Sequence, residues 1–280
     1  FFCLTMIEIN EIYNEHCFDT MSKMEKGSVN LIITSPFYNT NAKAKGNQTL
    51  KNCCESAKRT NSVRYDEFVD VMSNDEYCQF TKELFDYFDK ILAENGAVCY
   101  NISYGSENTE GMFRAINEII TNTNFTIADV ISWKKKNAIP NNTSSNKLTR
   151  ICEFVFVFCR KNEFKSFHCN KQVMSVSKNG QKRYENLFNF IEAPNNDGAC
   201  PLNRATYSSE LVTQLLKLYA PINAIVYDPF MGSGTTAYSC KKNGYSFIGS
   251  EISKAQCEWA HNRISTLDST LGEFMDESIS

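Results

Sequence analysis

The feature that most constrains this chain is a set of short, almost unbroken apolar runs rich in β-branched and aromatic residues. They cover residues 6–13, 29–34, 97–102, 127–133, 152–159, 225–227 and 246–249. A strand with one wet face alternates polar and apolar residues, whereas a strand that is apolar throughout is covered on both faces, as in a parallel sheet between helices. Helical spacing lies between many of these runs. Residues 75–92 carry Tyr77, Phe80, Leu84, Phe88 and Leu92 on one face, with Asn95-Gly96 as the expected stop. Residues 111–120, 209–219, 235–243 and 254–264 read as further helices, and the acidic tail after Leu267 as frayed. Strand–helix alternation predicts a doubly wound α/β sheet. With 280 residues, 42% hydrophobic and 22% charged, one domain over 1–280 with an insertion is expected rather than several domains.

Other classes are excluded on simple grounds. No apolar stretch approaches the ~20 residues of a membrane span, and no signal-peptide pattern opens the chain. Met6 reads as the natural start, with Phe1 to Thr5 as a remnant before it. The 12 cysteines are scattered without a CxxC pair, which argues against zinc and against a disulfide framework. A reduced intracellular, cytoplasmic protein is expected. The net charge of −3 hides an asymmetry: twelve Lys/Arg stand against two acids between Lys134 and Arg183. Residues 40–64, a long polar connection, hold six cations against Glu55 alone. Residues 162–204 have weak periodicity and read as an insertion outside the sheet. Such segments suit a polyanion, and a merely solvated lysine-rich surface suits them equally.

Two strand ends carry chemistry. Residues 224–236 form a strand, a glycine turn (Gly232, Gly234) and a helix start. No Lys follows Gly234, so the triphosphate loop fails, and Ala237 stands where a dinucleotide loop needs its third glycine. The next strand ends in Glu251, an acid placed to accept from both hydroxyls of a ribose. A glycine turn and a ribose acid without a phosphate device fit a nucleoside such as S-adenosylmethionine. The other strand, residues 29–34, ends in Ser35-Pro36-Phe37-Tyr38-Asn39.

These pieces together resemble the DNA amino-methyltransferases, which methylate N6 of adenine or N4 of cytosine. Asp228-Pro-Phe-Met-Gly-Ser-Gly-Thr-Thr resembles the family's motif I, Gly249-Ser-Glu251 its motif II and Thr34-Ser-Pro-Phe-Tyr-Asn its motif IV. Motif IV precedes motif I, as in the circularly permuted beta order. The resemblance implies a Rossmann-like methyltransferase sheet with residues 162–204 as target-recognition segment. It implies that Asp228, Phe230, Gly232 and Gly234 meet the methionine part of S-adenosylmethionine, Glu251 the ribose, and Thr235 or Thr236 the carboxylate. Thr34 joins that set. Glu15-His16 occupy the place of the family's Gly-Asp, so that His16 or Glu15 meets the cofactor adenine, with Cys17 and Phe18 lining the same pocket. Phe37 replaces the usual second Pro, and Ser35 at the first position is commoner in the cytosine enzymes.

The implied chemistry needs no acid–base triad. Ser35 Oγ and the Pro36 carbonyl accept from the amino group and pull its nitrogen towards tetrahedral geometry, while Tyr38 stacks on the extruded base, beside Phe37. Lys134, Asn137, Lys147, Arg150, Lys171, Lys178 and Lys182 are candidate DNA contacts. Double-stranded DNA, a cognate restriction endonuclease and a second copy of the chain are candidate partners, and no membrane is expected. Two other readings stay open: a methyltransferase for RNA or another substrate, and an inactive DNA-binding partner subunit.

Overall fold

The computed structural model describes residues 7–39, 72–105, 108–138, 140–142, 144–198, 200 and 206–276. The basic connection at 40–64 lies outside the described residues. The described elements are β1 (Glu11–Tyr13), α1 (Cys17–Lys23), β2 (Val29–Thr34), α2 (Asn74–Ile91), β3 (Leu92–Ile102), α3 (Gly111–Asn122), β4 (Phe125–Lys135) and β5 (Cys152–Arg160). They continue with β6 (Val173–Val176), β7 (Lys182–Tyr184), β8 (Phe190–Ala193), α4 (Ser209–Tyr219), β9 (Ile225–Asp228), α5 (Thr235–Lys242), β10 (Ser246–Ser250) and α6 (Lys254–Asp276). One sheet has the order β1-β10-β9-β2-β3-β5-β4-β8, and β6 pairs with β7 alone. From β1 to β3 the neighbours are parallel, and β5 runs antiparallel between β3 and β4. The expected α/β sheet is present.

The apolar runs have the expected cause. Leu31 and Ile33 pack on one face with Leu211, Leu215, Ala237 and Ala260, while Ile32 packs on the other with Leu84, Phe85, Phe88 and Ile119. Each of the three β2 residues is at most 1% exposed, which stabilises the fold by about 1.5–3 kcal/mol per side chain. The chain runs from β9 through α5 to β10 on one side and from β2 through α2 to β3 on the other. The order therefore reverses between β9 and β2, and a doubly wound sheet opens a crevice at the carboxyl ends of such a pair. Asp228 ends β9 and Thr34 ends β2.

Four expectations are corrected. The helix over 75–92 does not stop at Asn95-Gly96: it ends at Ile91 and β3 starts at Leu92 without a loop. Arg160 makes this possible by donating to the carbonyls of Asp89 (2.7 Å), Leu92 (2.7 Å) and Ala93 (3.0 Å), which a helix end otherwise leaves without partners. Asn95, with φ 58°, and Gly96 form a bulge inside β3, where a Cβ on Gly96 would come within 2.9 Å of the Asn30 carbonyl. Second, the segment 162–204 is not wholly outside the sheet. β8 pairs in parallel with β4; Ile191 and Ala193 face inward, and Trp133 Nε1 donates to the Ala193 carbonyl at 3.3 Å. Two inward residues are too few to register as a period. Third, α6 continues to Asp276, past the point where the tail was expected to fray. Fourth, the first apolar run shrinks to Glu11–Tyr13 and is followed by the unexpected α1.

Among the described residues no helix is long and apolar enough to cross a membrane. Cys17, Cys99, Cys159, Cys240 and Cys257 are buried free thiols. Burial pushes the Cys17 thiol up to about 12 and those of Cys159 and Cys257 up to about 11. Arg160 tests the helix-to-strand junction. Arg160→Met should cost about 2–4 kcal/mol in urea unfolding, because it removes the donor of three part-buried carbonyls and the cation beside the Asp89 and Glu163 carboxylates.

Candidate active site

The buried Asp228 carboxylate organises the crevice. Its Oδ1 accepts from Thr34 Oγ1 (2.8 Å) and the Phe230 N–H (3.0 Å). Its Oδ2 accepts from Tyr207 OH (3.0 Å) and Thr236 Oγ1 (2.5 Å). Burial raises the pKa of Asp228, and these four donors oppose the shift. Burial and the neighbouring Asp228 push the Tyr207 phenol well above its ordinary value, which keeps its hydroxyl a donor. All three side-chain partners are themselves buried. Thr34, Asp228 and Thr236 thus hold one another at the floor of the crevice. Tyr207 carried no sequence signal, since it lies outside any periodic run.

The glycine turn follows. Gly232 and Gly234 have φ of 54° and 79°, a region that favours glycine. Glu251, 9% exposed, accepts from the Gly232 N–H (2.7 Å) and the Ser253 N–H (2.9 Å), joining the two strand tips. Arg263 donates to Thr235 Oγ1 at 3.0 Å and is ion-paired with Asp197. From the turn, Phe230 begins an aromatic wall. Its ring lies 6.2 Å from Phe80 and 6.3 Å from Phe37, and Phe80 lies 5.5 Å from Phe18. Phe18 also stacks on Tyr87 at 5.1 Å. His16 caps α1, its Nδ1 accepting from the Phe18 N–H at 3.2 Å. Glu15 is held by Lys23 (2.5 Å) and Thr20 (2.9 Å), and Cys17 is buried beneath the same helix.

The turn after β2 is pinned along its length. The Phe37 carbonyl accepts from Tyr77 OH at 2.7 Å, and the Asn39 carbonyl from Asn108 Nδ2 at 2.7 Å. Phe37 is 8% exposed against Tyr77 and Phe80, Pro36 is buried, and Ser35 and Tyr38 are half-buried. Tyr38 OH lies 3.0 Å from Ser35 Oγ and donates to Glu153 Oε2 at 3.0 Å. Asn101 Nδ2 lies 2.6 Å from Tyr38 OH and 3.3 Å from Ser35 Oγ. Neither Asn101 nor Glu153 was among the expected site residues. An acid inside the apolar run of β5 was the available signal for Glu153.

The cations divide into two groups. Lys134 pairs with Glu192 (3.0 Å), Lys135 with Glu153 (2.5 Å) and Lys136 with Glu210 (3.0 Å). Asn137 Oδ1 accepts from the Asn195 N–H at 2.6 Å, and Arg150 donates to the Tyr104 carbonyl and lies 5.1 Å from the Tyr104 ring. Lys171, Lys178 and Lys182 sit on the exposed β6–β7 hairpin and at its entry, away from any acid in ion-pair range among the described residues, and Lys147 is also exposed.

Comparison with known proteins decides the family. The family model described as DNA methylase, for the N6/N4 enzymes, matches residues 29–262. The chain belongs to this N6/N4 DNA methylase family. It is a DNA amino-methyltransferase that uses S-adenosylmethionine. It is 24% identical over 256 residues to a Type II methyltransferase, M2.DpnII of Streptococcus pneumoniae, covering 90% of this chain and 88% of that protein. It is 24% identical over 271 residues to M.HinfI of Haemophilus influenzae, covering 91% and 68%. Among solved structures, PvuII DNA methyltransferase (cytosine-N4-specific) shares the fold with a TM-score of 0.67 and 14% identity, covering 92% and 87%. A complex of M1.HpyAVI with S-adenosylmethionine shares it with a TM-score of 0.55 and 22% identity, covering 90% and 98%.

Gly234 offers a direct check on this geometry. A Cβ there would lie 2.7 Å from Ala260 Cβ at a φ of 79°. Gly234→Ala should therefore cost about 1–3 kcal/mol in chemical unfolding, and it should weaken cofactor binding in calorimetry.

Proposed function

We propose that the crevice between β9 and β2 is where this DNA methylase brings S-adenosylmethionine and an extruded base together. The observation that carries the reading is the Asp228 carboxylate, which ties the turn after β2 to the glycine turn after β9. The residues present fit the cofactor. Glu251 offers a carboxylate at the tip of β10 for a ribose diol, the glycine turn allows close backbone approach, and Phe18, Phe80 and Phe230 give an apolar wall. Arg263 at this turn is already neutralised by Asp197, so a phosphate has no ready counter-ion.

S-adenosylmethionine supplies, when bound, a methyl group on a sulfonium whose sulfur leaves as a neutral thioether. Ser35 Oγ and the Pro36 carbonyl accept from the exocyclic amino group, N6 of adenine or N4 of cytosine. Drawing on both N–H groups localises the nitrogen lone pair towards the methyl carbon. The nitrogen gains the C–N bond as the C–S bond breaks, and the cationic methylated amine then releases one proton to water. Tyr38 stacks on the base, which must leave the duplex for its amino group to be reached. Phe37 fills the place of the usual second Pro as part of the aromatic wall. Positioning supplies most of the rate.

Residues 162–204 serve as the target-recognition segment on double-stranded DNA, led by the β6–β7 hairpin. Its lysines are exposed and have no acid in ion-pair range among the described residues, whereas Lys134 is held by an acid. A cognate restriction endonuclease and a second copy of the chain belong to the same proposal, in keeping with the Type II relatives.

Calorimetry and turnover test the site. Glu251→Ala should weaken S-adenosylmethionine binding by about tenfold, the loss of one charge-assisted hydrogen-bond pair; unchanged affinity removes the ribose assignment. Tyr38→Ala should keep that affinity and lose turnover, since stacking on a base is worth about 1–3 kcal/mol. For the DNA face, log K should fall with log salt with a slope of about 0.9 per phosphate contact. Neutralising Lys171, Lys178 and Lys182 together should flatten the slope and leave cofactor affinity alone. Normal DNA binding by that variant would move the DNA face elsewhere.

A further inference from the structure

Behind Ser35 and Tyr38 lies a polar cluster with no part in the reaction so far: Asn101 at the end of β3, Glu153 on β5 and Lys135 on β4. Glu153 is held by Lys135 Nζ at 2.5 Å on Oε1, and Asn101 Nδ2 lies 3.2 Å from Oε2. The Glu153 and Lys135 side chains are each 16% exposed, and Asn101 is 2% exposed. Counting hydrogens gives the direction of the bonds. Glu153, ion-paired with Lys135, is an acceptor. Tyr38 has one hydroxyl hydrogen and donates it to Glu153 Oε2 at 3.0 Å. In the 3.0 Å contact between Ser35 and Tyr38, the donor must then be Ser35. The carboxylate also turns the Asn101 amide so that its nitrogen faces Tyr38 and Ser35. With its one hydrogen committed to Tyr38, Ser35 can offer a substrate only lone pairs.

We propose that Glu153 is a positioning residue that sets this hydrogen-bond polarity, so that Ser35 meets the target base strictly as an acceptor. An acceptor suits the amino group of adenine or cytosine. It faces the carbonyl oxygen that thymine or guanine presents at the corresponding position lone pair to lone pair. The chain of hydroxyls therefore selects amino bases against keto bases, in the manner of a buried group that rejects a partner leaving it unpaired. This inference rests on the reading of Ser35 as an acceptor for the amino group.

The isosteric substitution Glu153→Gln inverts the polarity. The new carboxamide must turn its oxygen to Lys135, which leaves its nitrogen to donate to Tyr38. Tyr38 then donates to Ser35, and the Ser35 hydrogen is released towards the base. In single-turnover assays with the full chain, labelled S-adenosylmethionine and duplex DNA, Glu153→Gln should slow methyl transfer by about ten- to a hundredfold. Cofactor affinity should stay within about twofold, which also reports that the variant is folded. The loss acts through Ser35, so adding Glu153→Gln to Ser35→Ala should cost no further rate. A wild-type rate in Glu153→Gln, or a full further loss in the Ser35→Ala background, overturns the proposal. Absence of methyl transfer by the wild-type chain would instead count against the functional reading itself. The polarity is then decided by carbon NMR on tyrosine labelled at Cζ, with the Tyr38 signal identified by its loss in Tyr38→Phe. That signal should move in Glu153→Gln, and an unmoved signal overturns the proposal.

Discussion

A single buried carboxylate is the constraint on which this structure depends. Asp228 carries charge into a site with no exposure, where an unpaired ion would be costly by several kcal/mol. Four donors from four places in the chain make it tolerable: Thr34, Tyr207, Phe230 and Thr236. Thr34 and Asp228 are 194 residues apart in sequence. Their contact joins the element that carries the turn at Ser35 to Asn39 to the element that carries the glycine turn. In a permuted chain these two arrive from opposite ends, and the sheet order alone sets them side by side. The carboxylate then fixes their register to hydrogen-bond precision.

Around that floor the site is built in layers of different chemistry. Towards α1 and α2 it is aromatic, with Phe18, Phe80, Phe37 and Phe230 in ring contact. Towards β3, β4 and β5 it is polar, with Tyr38, Asn101, Glu153 and Lys135 in one hydrogen-bonded cluster. The turn at Ser35 to Asn39 lies between, held by Tyr77 and Asn108 through its own carbonyls. At Phe37 the Tyr77 hydroxyl holds the backbone carbonyl from outside the turn, a restraint that a proline ring would supply from within.

Much of this was legible in the sequence, and the rest was hidden for identifiable reasons. The apolar runs gave the sheet because β2, β3 and β5 are buried on both faces. The glycine turn and Glu251 are local in sequence, so their relation could be read. Asn95-Gly96 misled because the same dipeptide serves a helix stop and a bulge, and the contacts that decide between them come from far along the chain: Arg160 on the junction carbonyls, and Ser166 and His168 on Asn95 itself. β8 was missed because four residues cannot display a period. The aromatic wall and the Asn101–Glu153 cluster are assembled across strands, and a linear pattern carries no record of which strands are neighbours. Charge counting over residues 134–183 pooled two populations that the structure separates: lysines neutralised by Glu153, Glu192 and Glu210, and lysines on the β6–β7 hairpin.

The central claim is that the turn after β2 presents acceptors to an exocyclic amino group. The most direct measurement is mass spectrometry of nucleosides from DNA that the purified protein has treated with isotopically labelled S-adenosylmethionine. The account predicts labelled N6-methyladenine or N4-methylcytosine and no label on ring carbon. Label found as 5-methylcytosine, or DNA left unlabelled while the cofactor binds, would contradict it.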